Sequence, residues 1–125
     1  MREILFRGKR IDNGEWVEGD LNRGLFADID FIAYFKTSNE RVCFEVIPST
    51  VGQYTGKEVK SGRVFEGDIG VSIDGLFLVC WDDDKAAFVM HFQDYPYETL
   101  YLEEMWDDAE IIGNIHDNPE LLKGE

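Results

Sequence analysis

Apolar and polar positions alternate along most of the chain in short runs, and turn-forming residues separate these runs at intervals typical of an all-β fold. The first turn signal is Asp12-Asn13-Gly14, because Asn-Gly readily adopts the positive φ angles of a type I′ turn. We therefore predict a hairpin between residues 4–10 and 15–21. A second hairpin is predicted between the β-branched and aromatic runs at 29–35 and 42–47.

The second half of the chain has the pattern of a meander of consecutive antiparallel strands. Apolar runs at residues 69–73, 76–81 and 86–92 are separated by Asp74-Gly75 and by a polar turn at 82–85. Asp-Gly between apolar runs is among the strongest short-range hairpin signals. Strands this short and closely connected favour a small barrel, because closure removes exposed sheet edges.

The C-terminal region is less regular. Residues 93–99 are predicted to form a loop, and 100–106 fit either a strand or a helical turn. A further strand is predicted at 110–115. Asn118-Pro119-Glu120 then starts a short helix, with Asn as N-cap and Pro at the first helical position. The fold class is therefore mainly β with a short C-terminal helical turn.

Charged residues are distributed unevenly along the chain. The net charge is -14, and residues 1–62 carry nine Lys/Arg against ten Asp/Glu, whereas residues 63–125 carry three against sixteen. A surface this acidic repels a phosphate backbone, so direct nucleic-acid binding is not expected. The charge can serve solubility alone, or it can form an acidic surface that occupies a basic partner.

We expect neither an export signal nor a membrane span. Charged residues interrupt the N-terminus before an apolar signal core can form, and no run approaches the roughly 18 apolar residues of a membrane span. The two cysteines, Cys43 and Cys80, are expected to be free thiols in a reducing compartment. We expect a cytoplasmic protein.

Three collinear segments carry a more specific pattern. They comprise residues 4–10 with 14–21, residues 51–56 with 62 and 65–69, and residues 111–115 with 118–122. The most specific part is the pair formed by Gln53-Tyr54-Thr55-Gly56 and Glu66-Gly67-Asp68. Together these segments resemble the YopX family of phages, prophages and their bacterial hosts.

The resemblance implies an SH3-like β-barrel in the C-terminal part, at residues 48–125, and a β-hairpin region at residues 1–47, both within one structural unit. The family has no assigned activity, so it supplies no catalytic or binding residues. Gly70 departs from the family pattern and is expected to loosen the start of its strand. Independently of the resemblance, Gly67 and Asp68 suit a turn, because glycine accepts unusual backbone angles and Asp bonds nearby N–H groups. Tyr54 can enter the core or belong to an exposed patch.

Two acidic clusters are candidates for chemistry: Asp82, Asp83 and Asp84 in one, and Glu103, Glu104, Asp107 and Asp108 in the other. Clustered carboxylates suit Ca²⁺ or Mg²⁺, but the first cluster lacks the glycine and distal glutamate of the known calcium loop. Solvated turns are the alternative, which we favour. A metal-dependent hydrolase using these carboxylates remains one hypothesis.

No other constellation predicts catalysis. His91 and His116 with the two cysteines lack the short ligand spacings of a zinc site, and neither cysteine has an adjacent basic group to activate it. Nucleophile elbows, phosphate loops and dinucleotide fingerprints are absent from the sequence. We therefore expect no cofactor, no metal and no enzymatic activity.

The two tryptophans beside the acidic clusters, Trp81 and Trp106, either close the core or act as aromatic anchors within a charged rim. The leading hypothesis is a non-catalytic interaction protein that contacts a host or phage protein. A structural homo-oligomer is a further alternative. The candidate interaction surface comprises Asp82, Asp83, Asp84, Glu103, Glu104, Trp106, Asp107 and Asp108.

Overall fold

The computed structural model describes residues 3–23, 29–95, 99–105 and 109–123, and it is mainly β, as predicted. The strands are β1 (Phe6–Lys9), β2 (Trp16–Arg23), β3 (Asp30–Thr37), β4 (Glu40–Val46), β5 (Gly52–Val59), β6 (Gly62–Phe65), β7 (Asp68–Ser72), β8 (Gly75–Asp82), β9 (Ala87–Phe92), β10 (Thr99–Tyr101) and β11 (Glu110–Asn114). Short 3₁₀ turns occupy Pro48–Thr50 and Leu102–Glu104, and a single α-helical turn, α1, occupies Glu120–Lys123.

The chain divides into two compact units, Met1–Tyr54 and Thr55–Glu125, and β5 runs from the first into the second. The division into a hairpin region at residues 1–47 and a barrel at residues 48–125, both within one structural unit, stays a prediction.

The first unit contains both predicted hairpins. Strands β1 and β2 pair with Lys9 opposite Trp16, and β3 pairs with β4 with Ala33 opposite Cys43, so both hairpin predictions are confirmed. Gly14 has φ 74°, and Asn13 Oδ1 accepts a hydrogen bond from the Glu15 N–H at 2.9 Å. The hairpin therefore forms at the predicted residues, but the predicted type I′ turn is wrong, because Gly14 has a positive φ and Asn13 does not; Asn13 instead stabilises the turn through its side chain.

The end of β1 also bonds to the end of β4. The Ile47 N–H donates to the Lys9 carbonyl (2.9 Å), and the Ile11 N–H donates to the Glu45 carbonyl (3.0 Å). These bonds bring Gly8 against Val46, which is fully buried. Because Cβ on residue 8 would lie only 3.0 Å from Val46 Cβ, this close approach requires the small residue.

The second unit contains a five-stranded antiparallel sheet in the order β10-β9-β8-β7-β11. The predicted meander is confirmed as β7-β8-β9, and the predicted C-terminal strand is confirmed as β11. The ambiguous stretch after residue 99 divides between β10 and a 3₁₀ turn. In the described residues this sheet is open, because its edge strands β10 and β11 do not pair, so the predicted barrel is not confirmed.

One hydrophobic core holds the second unit together. Its centre is the aromatic pair Phe77 and Phe92, whose ring centroids lie 5.5 Å apart. The remaining buried members are Val64, Val79, Phe88, Met90, Leu102, Met105 and Ala109. Three half-buried side chains, Val59, Leu100 and Ile111, pack against it.

The chain end forms the predicted short helix. Asn118 Oδ1 accepts a hydrogen bond from the Asn114 N–H at 3.2 Å, and α1 follows for one turn. In the part of the chain that the structure describes, no helix is long and apolar enough to cross a membrane.

Candidate interaction surface

The turn between β8 and β9 carries the first acidic cluster. Asp82 Oδ1 accepts hydrogen bonds from the backbone N–H groups of Asp84 (2.9 Å) and Lys85 (3.1 Å). This pattern is the local side-chain-to-backbone bonding that favours Asp in turns. Asp82 therefore fixes the turn, while the side chains of Asp83 and Asp84 are exposed.

Trp81, at the end of β8, is held beside this turn. Its indole Nε1–H donates to Asp83 Oδ1 at 2.7 Å, and its ring meets Phe88 edge-on with centroids 5.1 Å apart. The side chain is nevertheless 45% exposed. Trp81 thus offers an ordered aromatic surface in direct contact with a carboxylate.

Lys85 connects the turn to β10. Its Nζ donates to Thr99 Oγ1 at 2.7 Å and lies 5.2 Å from the centroid of the Tyr101 ring. Tyr101 is 41% exposed. A second exposed aromatic ring is therefore positioned against the acidic turn.

Glu103 and Glu104 of the second predicted cluster follow Tyr101 in the 3₁₀ turn, and both are exposed. Glu104 Oε2 accepts a hydrogen bond from the Tyr101 N–H at 3.2 Å. The contacts of Lys85 and Glu104 with Tyr101 bring the described parts of the two predicted clusters together. We define the acidic face as Trp81, Asp82, Asp83, Asp84, Lys85, Tyr101, Glu103 and Glu104. Trp106, Asp107 and Asp108 lie outside the described residues.

The sequence interpretation did not include Lys85 or Tyr101 in this surface. Their roles depend on the pairing of β10 with β9, which places Tyr101 opposite Val89. A three-residue strand followed by a 3₁₀ turn leaves almost no periodic signal. Only the exposed aromatic beside two glutamates could have suggested Tyr101.

Metal-ligating side chains do not gather in the described residues: no group of three or more His, Cys, Asp or Glu is placed to hold an ion. His91 lies half-buried on β9, and His116 follows β11. Three carboxylates of the acidic face accept hydrogen bonds from within the chain: Asp82 and Glu104 from backbone N–H groups and Asp83 from the Trp81 indole.

The two thiols differ in environment. Burial, followed by the nearby carboxylates of Asp82 and Glu66, raises the pKa of the Cys80 thiol above its ordinary value. Cys43, by contrast, is exposed on β4. Since the thiolate is the reactive form, Cys80 is a weaker nucleophile than an ordinary cysteine at neutral pH.

We expect maleimide at pH 7 to label Cys43 at least about tenfold faster than Cys80, because Cys80 is less accessible and its raised pKa lowers its own thiolate fraction. Peptide mapping by mass spectrometry over time measures the two rates. Cys43→Ser should retain only the slow reaction. Equal labelling of the two cysteines would contradict this assignment.

The segment Gln53-Tyr54-Thr55-Gly56 lies in β5, where the two units meet in sequence. Tyr54 is buried, and its N–H donates to the Leu5 carbonyl at 2.7 Å in the first unit. Within the second unit, Thr55 Oγ1 donates to the Val64 carbonyl at 2.8 Å. The side chain of Tyr54 therefore belongs to the interior rather than to an exposed patch.

The segment Glu66-Gly67-Asp68 forms the turn from β6 to β7. Gly67 has φ 95°, and the buried Asp68 Oδ2 accepts a hydrogen bond from the Phe65 N–H at 2.7 Å. The Gly67 N–H donates to the Val79 carbonyl, and its own carbonyl accepts from the Ile115 N–H. The turn thus ties the chain to β8 and to the end of β11, which supports the structural interpretation of the motif.

Comparison with protein families bears directly on these motifs. A family model described as YopX protein matches residues 5–123, nearly the whole chain. The resemblance inferred from three collinear segments is therefore confirmed. A comparison with curated proteins finds no match.

Proposed function

Because the chain belongs to the YopX family, we propose that it is a phage or prophage accessory protein that acts in the cytoplasm as a non-catalytic protein-interaction module. The acidic face is its binding surface, and the partner is a basic host or phage protein. Family membership also motivates the expectation that the five-stranded sheet belongs to an SH3-like arrangement.

The observation that carries this proposal is the joining of two acidic clusters around exposed aromatic rings. The acidic face presents five carboxylates and one ammonium, with Trp81 and Tyr101 between them. Aromatic side chains surrounded by a polar rim are typical of energetic hot spots in protein interfaces. Charge of one sign accelerates association with an oppositely charged partner and disfavours acidic competitors.

The same face is held in place before any partner binds. Trp81 and Glu104 each make a hydrogen bond within the face, at 2.7 and 3.2 Å, and Lys85 Nζ is held from outside it by Thr99 Oγ1 at 2.7 Å. Side chains that are already ordered lose less conformational entropy on association. This arrangement supports a binding role more than a role in solubility alone.

The structure gives less support to the two alternative functions, a metal-dependent hydrolase and a structural homo-oligomer. A metal-dependent hydrolase needs a gathered set of ligands, and the described carboxylates form none. A homo-oligomer that uses this face would bring like charges together, which opposes close packing.

The test uses a tagged protein and a lysate of cells that carry its gene, treated with nuclease. We expect Trp81→Ala to lower recovery of the partner by about tenfold or more, because a central aromatic anchor is lost. Phe35→Ala, which removes a ring that is even more exposed (63% against 45% for Trp81) from the first unit, is the control and should leave recovery unchanged. Quantitative mass spectrometry measures the difference. Equal recovery with both variants, or no partner at all, would refute the proposal.

A further inference from the structure

A small pocket lies at the end of the five-stranded sheet where β7 turns into β8 and β9 ends. Its volume is about 190 Å³, and it is lined by Asp74, Phe92, Tyr95 and Leu100. None of these residues belongs to the acidic face. Because β8 runs from Gly75 to Asp82, the pocket and the acidic turn occupy opposite ends of that strand.

The apolar walls of the pocket are anchored to the core. Phe92 is 4% exposed and packs against Phe77, and Leu100 is half-buried against the same core. Tyr95 covers one side, where its N–H donates to the Phe92 carbonyl at 3.3 Å while the side chain is 54% exposed. The described walls are therefore one buried aromatic ring, one half-buried leucine and one accessible tyrosine ring.

Carboxylates form the polar part of the pocket and its surroundings. The Asp74 N–H donates to Ser72 Oγ at 3.2 Å, which fixes the turn and leaves the Asp74 side chain exposed in the lining. A second carboxylate lies beside the turn, since Asp94 Oδ2 would be 3.6 Å from a Cβ on Gly75. Among the described residues that line the pocket, none is basic.

Size and chemistry together restrict the ligand. The volume is below the roughly 300–1,000 Å³ typical of sites for drug-sized molecules, so one side chain is a better match than a nucleotide. A carboxylate beside aromatic and aliphatic walls favours a cation on an apolar stem and repels phosphate or carboxylate groups.

A guanidinium suits both the aromatic wall and the carboxylate, because it stacks on aromatic rings and pairs with a carboxylate at the same time. The same chain contains this combination in its first unit. The Arg10 guanidinium lies 3.8 Å from the Phe44 ring centroid and bonds Asp12 through Nε (2.9 Å) and Nη2 (2.6 Å).

We propose that this pocket binds an arginine side chain of a protein partner. The inference rests on the proposed function insofar as it takes the partner to be a basic protein. The pocket then binds one specific side chain of the partner, while the acidic face attracts the partner's positive charge.

The test is a titration of the full chain with N-acetyl-arginine amide, followed by ¹H–¹⁵N NMR. We expect saturable shifts at Asp74, Phe92, Tyr95 and Leu100, and none at the turn formed by Asp82, Asp83 and Asp84, at the opposite end of β8. The neutral isostere N-acetyl-citrulline amide should bind about tenfold more weakly, because it lacks both the ion pair and the cation–π attraction.

Asp74→Asn should weaken arginine binding about threefold, whereas Glu110→Gln, which neutralises an exposed carboxylate on β11, should not. Equal binding of citrulline, or shifts that do not saturate, would overturn the assignment. That failure is distinct from failure of the proposed function, because the latter is measured by partner capture with acidic-face variants. If arginine binding saturates while the acidic-face variants still capture the partner, only the role of the acidic face in binding is refuted.

Discussion

Gly70→Ala should destabilise the protein by about 2 kcal/mol, because the added methyl group overpacks the core of the second unit. A Cβ at residue 70 would overlap Phe77 Cζ and lie 2.7 Å from Phe77 Cε1. Phe77 is fully buried and packs against Phe92, so its ring cannot move aside freely. Without the clash the same change would stabilise a strand by up to about 1 kcal/mol. The sign of the change in stability therefore shows whether a side chain at residue 70 clashes with Phe77.

A shorter side chain at residue 77 should relieve this clash. In the double variant Gly70→Ala/Phe77→Leu, we expect the total loss of stability to be smaller than the sum of the single losses by about 1–2 kcal/mol. Urea unfolding of the four proteins measures this coupling. Strictly additive losses, or stabilisation by Gly70→Ala alone, would contradict the packing described for this pair.

Asp68→Ala should cost about 2–3 kcal/mol of unfolding free energy. The Asp68 side chain is 2% exposed, and its Oδ2 accepts a hydrogen bond from the buried Phe65 N–H at 2.7 Å. Removal of the carboxylate leaves that donor without this acceptor, and a buried unpaired N–H loses its solvation without compensation. Thermal unfolding gives the change in stability, and hydrogen exchange should show faster exchange at Phe65.

The variant Asp68→Asn separates the contribution of the hydrogen bond to stability from that of the negative charge. An asparagine carbonyl can still accept from the Phe65 N–H, so this variant should lose less than half as much stability as Asp68→Ala. If Asp68→Ala unfolds at the wild-type temperature, the Glu66-Gly67-Asp68 segment does not hold this turn, and a functional role for the motif becomes the better explanation.

Local turn chemistry explains why much of the fold was predictable. The Asn13-Gly14 and Asp74-Gly75 pairs each lie between apolar runs, so the information for each hairpin is contained within a few residues. The final helical turn also follows the predicted start at Asn118-Pro119-Glu120, although the Asn118 side chain bonds the preceding Asn114 N–H and not the first turn of the helix. Each of these elements formed where the sequence placed it.

The parts that the sequence did not reveal depend on residues distant along the chain. Gly70 was expected to loosen its strand, yet pairing of β7 with β8 places it opposite Phe77, whose ring occupies the space that a side chain would take. The bond from Ile11 to Glu45 likewise joins strands that no local pattern connects. Closure of a barrel is a non-local property of the same kind.

The candidate surface was predictable in composition and not in arrangement. Acidic residues at 82–84 and 103–104 are evident in the sequence, but their connection through Lys85 and Tyr101 requires the register of β10 on β9. The pocket at Asp74 also combines residues from separate strands and turns. Function that depends on such combinations must be inferred from the folded chain.

The most direct test of the interaction account compares two variants with the same change in net charge. One replaces the five carboxylates of the acidic face: Asp82→Asn, Asp83→Asn, Asp84→Asn, Glu103→Gln and Glu104→Gln. The other replaces five exposed carboxylates of the first unit: Glu15→Gln, Glu18→Gln, Asp20→Asn, Glu40→Gln and Glu45→Gln.

Both variants are first shown to be folded by circular dichroism and then used for partner capture at one fixed salt concentration. The account predicts that the acidic-face variant loses the partner by about tenfold or more, whereas the first-unit variant retains it within about twofold. Equal losses would show that total charge, and not this face, governs binding. Full retention by the acidic-face variant would contradict the account outright.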